Sequence, residues 1–215
     1  MAIYICSNMV FKLYVSLRSF LRFGELNLLN STDCTAGRLK FCTRHHDVYK
    51  FKTHSNPSKT LALIELFSPV QRSYEIFPAC VPSSELTSSY LHRSSVVLIA
   101  SGWGTIAKLS RMPDMRQTRT DIVPCGERKQ EEMNDVICVR EPVDSRGRCV
   151  VDSGGALLAP VKTRIADDVY FDLISVLGIE TGGRKMEQCS PNGLREFIFV
   201  PKHVDWVMNV TTRNN

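Results

Sequence analysis

Short apolar runs separated by turn-forming residues set the character of the chain. Leu61-Ala62-Leu63-Ile64-Glu65-Leu66 suits a buried strand. Pro69, Pro78 and Pro82 then punctuate a loop. Ser95-Val96-Val97-Leu98-Ile99-Ala100 predicts a second strand, running into the tight turn Ser101-Gly102-Trp103-Gly104-Thr105. Val136-Ile137-Cys138-Val139 and Ala156-Leu157-Leu158 predict two more. Residues 170–177, rich in β-branched and aromatic side chains, are the strongest strand candidate, and Phe197-Ile198-Phe199-Val200 follows. Over 202–210, Val204, Trp206 and Val207 share a face and predict a short terminal helix. Residues 25–59 read as polar and irregular, and 107–134 as charged, with helix near 126–134. Many short strands between turns imply an all-β barrel or sandwich. No repeat or shift of composition marks a domain boundary.

Composition narrows the class. Of 215 residues, 43% are hydrophobic and 23% charged, as in a globular chain with a sizeable core. The net charge of +5 is scattered, which argues against nucleic acid, whose partners concentrate basic charge on one face. Eight cysteines is a high count, yet no Cys-x-x-Cys pair occurs and His45-His46 has no partner at ligand spacing. Disulfides in an oxidising, extracellular compartment follow, with neither metal nor cofactor expected. Asn30-Ser31-Thr32 and Asn209-Val210-Thr211 are glycan acceptors in such a compartment. No apolar run reaches the roughly 18 residues of a membrane span. Residues 1–24 stand apart. Ile3, Val10, Tyr14, Leu17 and Leu21 share one helical face, while Lys12, Arg18 and Arg22 interrupt what a secretory signal would keep apolar. A poor signal sequence, an amphipathic helix and a misassigned start all remain open.

The chemistry concentrates in residues 149–157, Cys-Val-Val-Asp-Ser-Gly-Gly-Ala-Leu. Here alone a nucleophile, Ser153, stands between an acid and two glycines that permit a tight turn and close approach of another chain.

Taken in order, the 61–66 run, Cys80-Val81-Pro82, Ser101-Gly102-Trp103-Gly104-Thr105, Ile137-Cys138-Val139, the 149–157 string, Cys189 and the stretch 197–206 resemble the chymotrypsin-like (trypsin family) serine proteases. The divergent pocket is most similar to diverged nematode members. The resemblance implies an all-β double barrel with its N-terminal barrel incomplete and a short C-terminal helix. It implies a protease domain over 25–212, the first barrel partial up to about residue 100. It also implies disulfides Cys125–Cys138 and Cys149–Cys189, leaving Cys6, Cys34, Cys42 and Cys80 unassigned, with Cys34–Cys42 one pairing the spacing allows. Ser153 falls at the nucleophile, Val151 and Ser153 at the oxyanion amides, and Gly147, Arg148, Thr181 and Gly183 at the substrate pocket. A peptide or protein would lie in the cleft.

The departures from the family are as informative. The acid that should precede Leu61 is Thr60, which carries no charge to stabilise an imidazolium. Losing that acid costs the family about 10⁴ in turnover. No histidine stands in the family's Thr-Ala-Ala-His-Cys context. His45, His46 and His54 lie too near Thr60, and His92 and His203 match no catalytic position. Val151 replaces a glycine whose amide must face the oxyanion, and one lost donor is worth roughly 10²–10³ in rate. Gly147 leaves the pocket without its acid, Arg148 beside it could fill the space or favour an acidic group, and Thr181-Gly182-Gly183 lacks the aromatic wall. Asp152 has no evident partner. The expectation is a serine endopeptidase by family with impaired catalysis. The alternatives are a secreted non-catalytic homologue that binds protein, or a partial product of a longer protease gene.

Overall fold

A computed structural model describes residues 4–7, 20–34, 42–55, 61–73, 76–81, 97–106, 110–111, 114–125, 135–143, 145, 149–166, 169–181 and 193–212. Twelve strands are described: β1 (Tyr4–Ser7), β2 (Phe20–Phe23), β3 (Arg44–Thr53), β4 (Leu61–Leu66), β5 (Leu98–Gly102), β6 (Thr105–Ile106), β7 (Ser110–Arg111), β8 (Arg116–Thr120), β9 (Val136–Arg140), β10 (Ala156–Ala166), β11 (Val169–Glu180) and β12 (Leu194–Phe199). A 3₁₀ turn, Val200–His203, leads into helix α1, Val204–Thr212. Pro201 suits the start of this turn because its fixed φ is already helical and its missing N–H would have no helical partner.

The second half closes on itself. β8-β5-β10-β11-β12-β9 form a six-stranded antiparallel sheet. Its two edges meet where Ile122 bridges Val139, supported by Val123 N–H to the Cys138 carbonyl and Arg140 N–H to the Asp121 carbonyl, both 2.9 Å. Closure matters because an open edge leaves a row of unpaired N–H and C=O groups. The Cys125–Cys138 disulfide staples this seam. Inside, Leu98, Val139, Leu157, Leu177 and Phe197 are buried, each from a different strand. Burying side chains of this size stabilises by roughly 1.5–3 kcal/mol apiece.

The first half is a four-stranded sheet, β1-β4-β3-β2, which makes a partial barrel. With the closed barrel it completes the incomplete double barrel expected. β4 is its buried centre, with Leu61, Leu63 and Ile64 almost fully covered. Cys80 joins the halves: its N–H donates to the Ile174 carbonyl at 2.9 Å and its carbonyl accepts from Val176 N–H at 2.8 Å. Cys80 is a free cysteine, and Cys34 and Cys42 are bonded to each other.

Three expectations change. Residues 44–53, read as irregular, are the ten-residue strand β3, exposed and half-buried by turns. Asp47 and Lys50 are exposed and Lys52 pairs with Glu65 at 3.3 Å, while pairing with β2 and β4 fixes the backbone. Residues 116–120 are strand β8 for the same reason: pairing with β5 fixes a polar stretch. In the segment 1–24, residues 4–7 and 20–23 are extended and paired, so a helix does not run through them. β4 has apolar side chains on both faces, and β1 covers the backbone edge it would otherwise leave open. Residues 126–134 lie outside the described residues.

Asp33 organises the bend after β2. Its carboxylate accepts from the Leu26 amide at 2.6 Å, the Asn27 amide at 2.5 Å and the Asn30 side chain at 2.8 Å. These bonds, the Asn27 amide's most of all, hold its pKa down at about 2 against burial, from an ordinary 3.8. A depressed folded pKa gives stability that is complete above 3.8 and is lost as pH falls through about 2. Glu25 opposes this trend: chiefly through burial its pKa is raised, so its contribution is lost as pH rises. Asp33→Asn is expected to flatten the fall in melting midpoint over that acid window. A variant that falls as steeply as the parent would refute the assignment.

Candidate functional site

The 149–157 string forms a loop pressed onto the closed barrel. Cys149, Val150 and Val151 are buried, while Ser153 is half-exposed at the loop's crest. Gly155 N–H donates to the Asp152 carbonyl at 2.7 Å, closing a tight turn over Ser153 and Gly154, and Gly154 takes a φ of 82° there. The turn is pinned to the end of β11 by Gly154 N–H to the Glu180 carbonyl, 3.1 Å, and Glu180 N–H to the Gly155 carbonyl, 2.9 Å.

A second turn, 102–104, lies across the first. Trp103 N–H and Gly104 N–H both donate to Asp152 Oδ2, at 2.8 and 3.2 Å. Asp152 therefore has partners that the sequence did not reveal: two backbone amides of the Gly-Trp-Gly turn. Only glycine permits this approach. A Cβ on Gly102 would stand 2.5 Å from the Val150 carbonyl oxygen, and one on Gly104 would fall onto the Cys149 carbonyl. The Trp103 indole N–H reaches the Leu26 carbonyl at 3.3 Å and ties the turn to the first half of the chain.

The side chain of Val151 is buried in the barrel core with those of Leu98, Leu157 and Phe197. This packing explains an apolar residue at the position. Thr181 lies at the end of β11, its N–H bonded to the Glu196 carbonyl at 3.2 Å. Thr60, Gly147, Arg148, Gly183 and Cys189 lie outside the described residues. Cys149 is half of a disulfide, so its sulfur carries no proton. Asn30 uses its side-chain amide on Asp33, whereas Asn209 is exposed on α1.

The described histidines pack against rings, two on the β2–β3 pair and two at the start of α1. His45 stacks on Phe20 at 4.9 Å, and His46 meets Phe23 edge-on at 5.3 Å, both on the β2–β3 pair. His54 packs against His203 and Trp206 at the start of α1. No hydrogen bond joins the Ser153 hydroxyl to another described residue.

Behind the serine loop lies a group of charges that sequence reasoning missed. Arg195 on β12 places its Nε 2.7 and 2.8 Å from the two carboxylate oxygens of Glu141, just past β9. Its Nη1 lies 3.2 Å from Glu180 Oε1, and its Nη2 3.7 Å from the Cys149 sulfur. Side-chain exposure is 3% for each glutamate and 11% for the arginine, so this is an ion triad withdrawn from water. Burial works against the Arg195 charge, but the Glu141 bonds and the charges of both glutamates outweigh it, and its pKa rises. The available signal was charge next to an apolar residue at two strand ends, Ile179-Glu180 and Leu194-Arg195. Buried charges of this kind come paired.

The Trypsin family model matches residues 22–207. Rat complement C1s subcomponent is 27% identical over 177 residues, covering 76% of this chain and 24% of that protein. The proclotting enzyme of Tachypleus tridentatus is 26% identical over 198 residues, covering 86% of this chain and 48% of the enzyme. The crystal structure of the Drosophila Grass clip serine protease of the Toll pathway superposes with a TM-score of 0.73 at 23% identity, covering 99% of this chain and 62% of that one. The chain thus spans about a quarter of the length of the first of these curated relatives and about half of the second.

Proposed function

The chain belongs to the trypsin family of serine proteases, and from that premise we propose that it is a secreted, non-hydrolysing member whose cleft face binds a peptide or protein. One observation carries the reading: the described histidines pack on other rings, two on β2–β3 and two against each other at the start of α1, and none is hydrogen-bonded to Ser153. Serine is weakly nucleophilic at neutral pH without a base to take its proton. Thr60 in place of the orienting acid and Val151 in place of glycine point the same way. Each affects a different part of the catalytic apparatus: the base's orienting partner and the oxyanion donor. The disulfides Cys34–Cys42 and Cys125–Cys138, and relatives named for complement, clotting and venom, support an extracellular setting.

A fluorophosphonate probe reacts only with an activated serine. With the folded, oxidised chain, Ser153 is expected to remain unlabelled, and peptide mixtures to turn over no faster than with Ser153→Ala. An adduct on Ser153, or turnover that Ser153→Ala abolishes, would overturn the proposal.

A further inference from the structure

The ion triad raises a question of its own. Three charges, two negative and one positive, are held almost out of water directly behind the serine turn. Withdrawing charge is costly, and a buried pair is tolerated only where geometry and extra hydrogen bonds repay the lost hydration. Here the repayment comes through a shape that fits one group. Glu141 presents both oxygens to a single nitrogen, Glu180 presents an oxygen to a second, and the Cys149 disulfide sulfur faces the third. A planar guanidinium offers donors in this forked arrangement, and an ammonium does not.

Position matters as much as shape. Glu180 is the residue whose backbone grips Gly154 and Gly155, and Cys149 opens the serine loop. The cradle is therefore framed by the serine loop on one side and by the ends of β11 and β12 on the other. Arg195 enters from β12, where it pairs with Val139 in the neighbouring strand. Its side chain extends from the sheet into the space beside the serine loop.

We propose that Glu141 and Glu180 form a guanidinium-binding cradle beside the Ser153 turn, and that Arg195 is its built-in occupant. The chain fills from within a site that would otherwise take an arginine-like side chain from a partner. This holds whether or not Ser153 reacts, so it stands apart from the loss of hydrolysis. It also means that a partner engages the cleft face without inserting a basic side chain there.

Chemical rescue tests it. Arg195→Ala removes the occupant and leaves the cradle. Ethylguanidinium at millimolar concentration is expected to raise the melting midpoint of this variant and to bind it in calorimetry. The unaltered chain should bind at least tenfold more weakly. Ethylammonium at equal ionic strength should do neither, which separates a fitted site from charge screening. Should Arg195→Ala fold only partly, Arg195→Lys keeps a charge and most of the stem. It is expected to fold and to fall short of the parent in stability, because an ammonium keeps the charge but not the fork; a lysine variant as stable as the parent would overturn a guanidinium-shaped site. If a folded Arg195→Ala, judged by near-ultraviolet circular dichroism, binds no ethylguanidinium, the proposal fails. It fails equally if the unaltered chain binds as well as the variant, or if ethylammonium rescues to the same extent.

Discussion

Gly104→Ala is expected to be among the most damaging single-methyl additions in this chain. Gly104 has a φ of 60°, and a new Cβ would fall onto the Cys149 carbonyl, a backbone group that cannot rotate away. Left-handed backbone costs an alanine roughly 1–2 kcal/mol. Relief of the clash would lift the 102–104 turn off the serine loop and take the Gly104 amide away from Asp152. The total should reach roughly 3 kcal/mol or more, the range of a strained and disrupted site. Gly24 is the matched control: its φ is 74°, but a Cβ there meets the Ile76 side chain at 3.5 Å and the Thr43 Cα at 3.9 Å, both ordinary contacts. Gly24→Ala should show the backbone cost alone. Urea denaturation midpoints for the two variants, at unchanged slope, measure the difference. Equal losses would mean that the close approach of the two turns contributes nothing.

Particular residues show where the sequence was legible. β4, β9, β12 and the later part of β11 could be read because most of their apolar residues are buried whatever their neighbours do, and α1 because Val207 on its predicted face is buried. β3 and β8 could not, because half their side chains face water and only pairing with β4 and β5 makes them strands. The same holds for residues 4–7, whose strand character depends on β4. At the site, the serine turn is local and legible. The partners of Asp152 are not, since its amides come from 49 and 48 residues away and belong to the backbone, which no side-chain pattern announces. Arg148, read from its place beside Gly147 as filling the pocket or favouring an acidic group, lies outside the described residues; the described arginine beside the serine loop is Arg195. Strand register, which sets Arg195 opposite Val139 and next to Glu141, decides that.

Arg195→Met tests how dry the triad is. It leaves Glu141 and Glu180, each 3% exposed, without the cation between them. Breaking a buried ion group by removing one member costs about 3–5 kcal/mol, because the remaining charge keeps its burial and loses the attraction of the charge removed. Replacing all three members with apolar residues of similar volume, Glu141→Leu, Glu180→Leu and Arg195→Met together, removes the desolvation penalty with the attraction. Such exchanges are neutral to stabilising by about 1–4 kcal/mol. The triple variant is therefore expected to be far more stable than the single one, although it carries more changes. The three groups are in contact, so their effects must not add. Urea denaturation at neutral pH measures both. A single variant within about 0.5 kcal/mol of the parent, the range of an ordinary surface change, would place the triad in water. A triple variant worse than the single one would show that the charges stabilise the fold on balance, and that the cradle is kept for stability as much as for its shape.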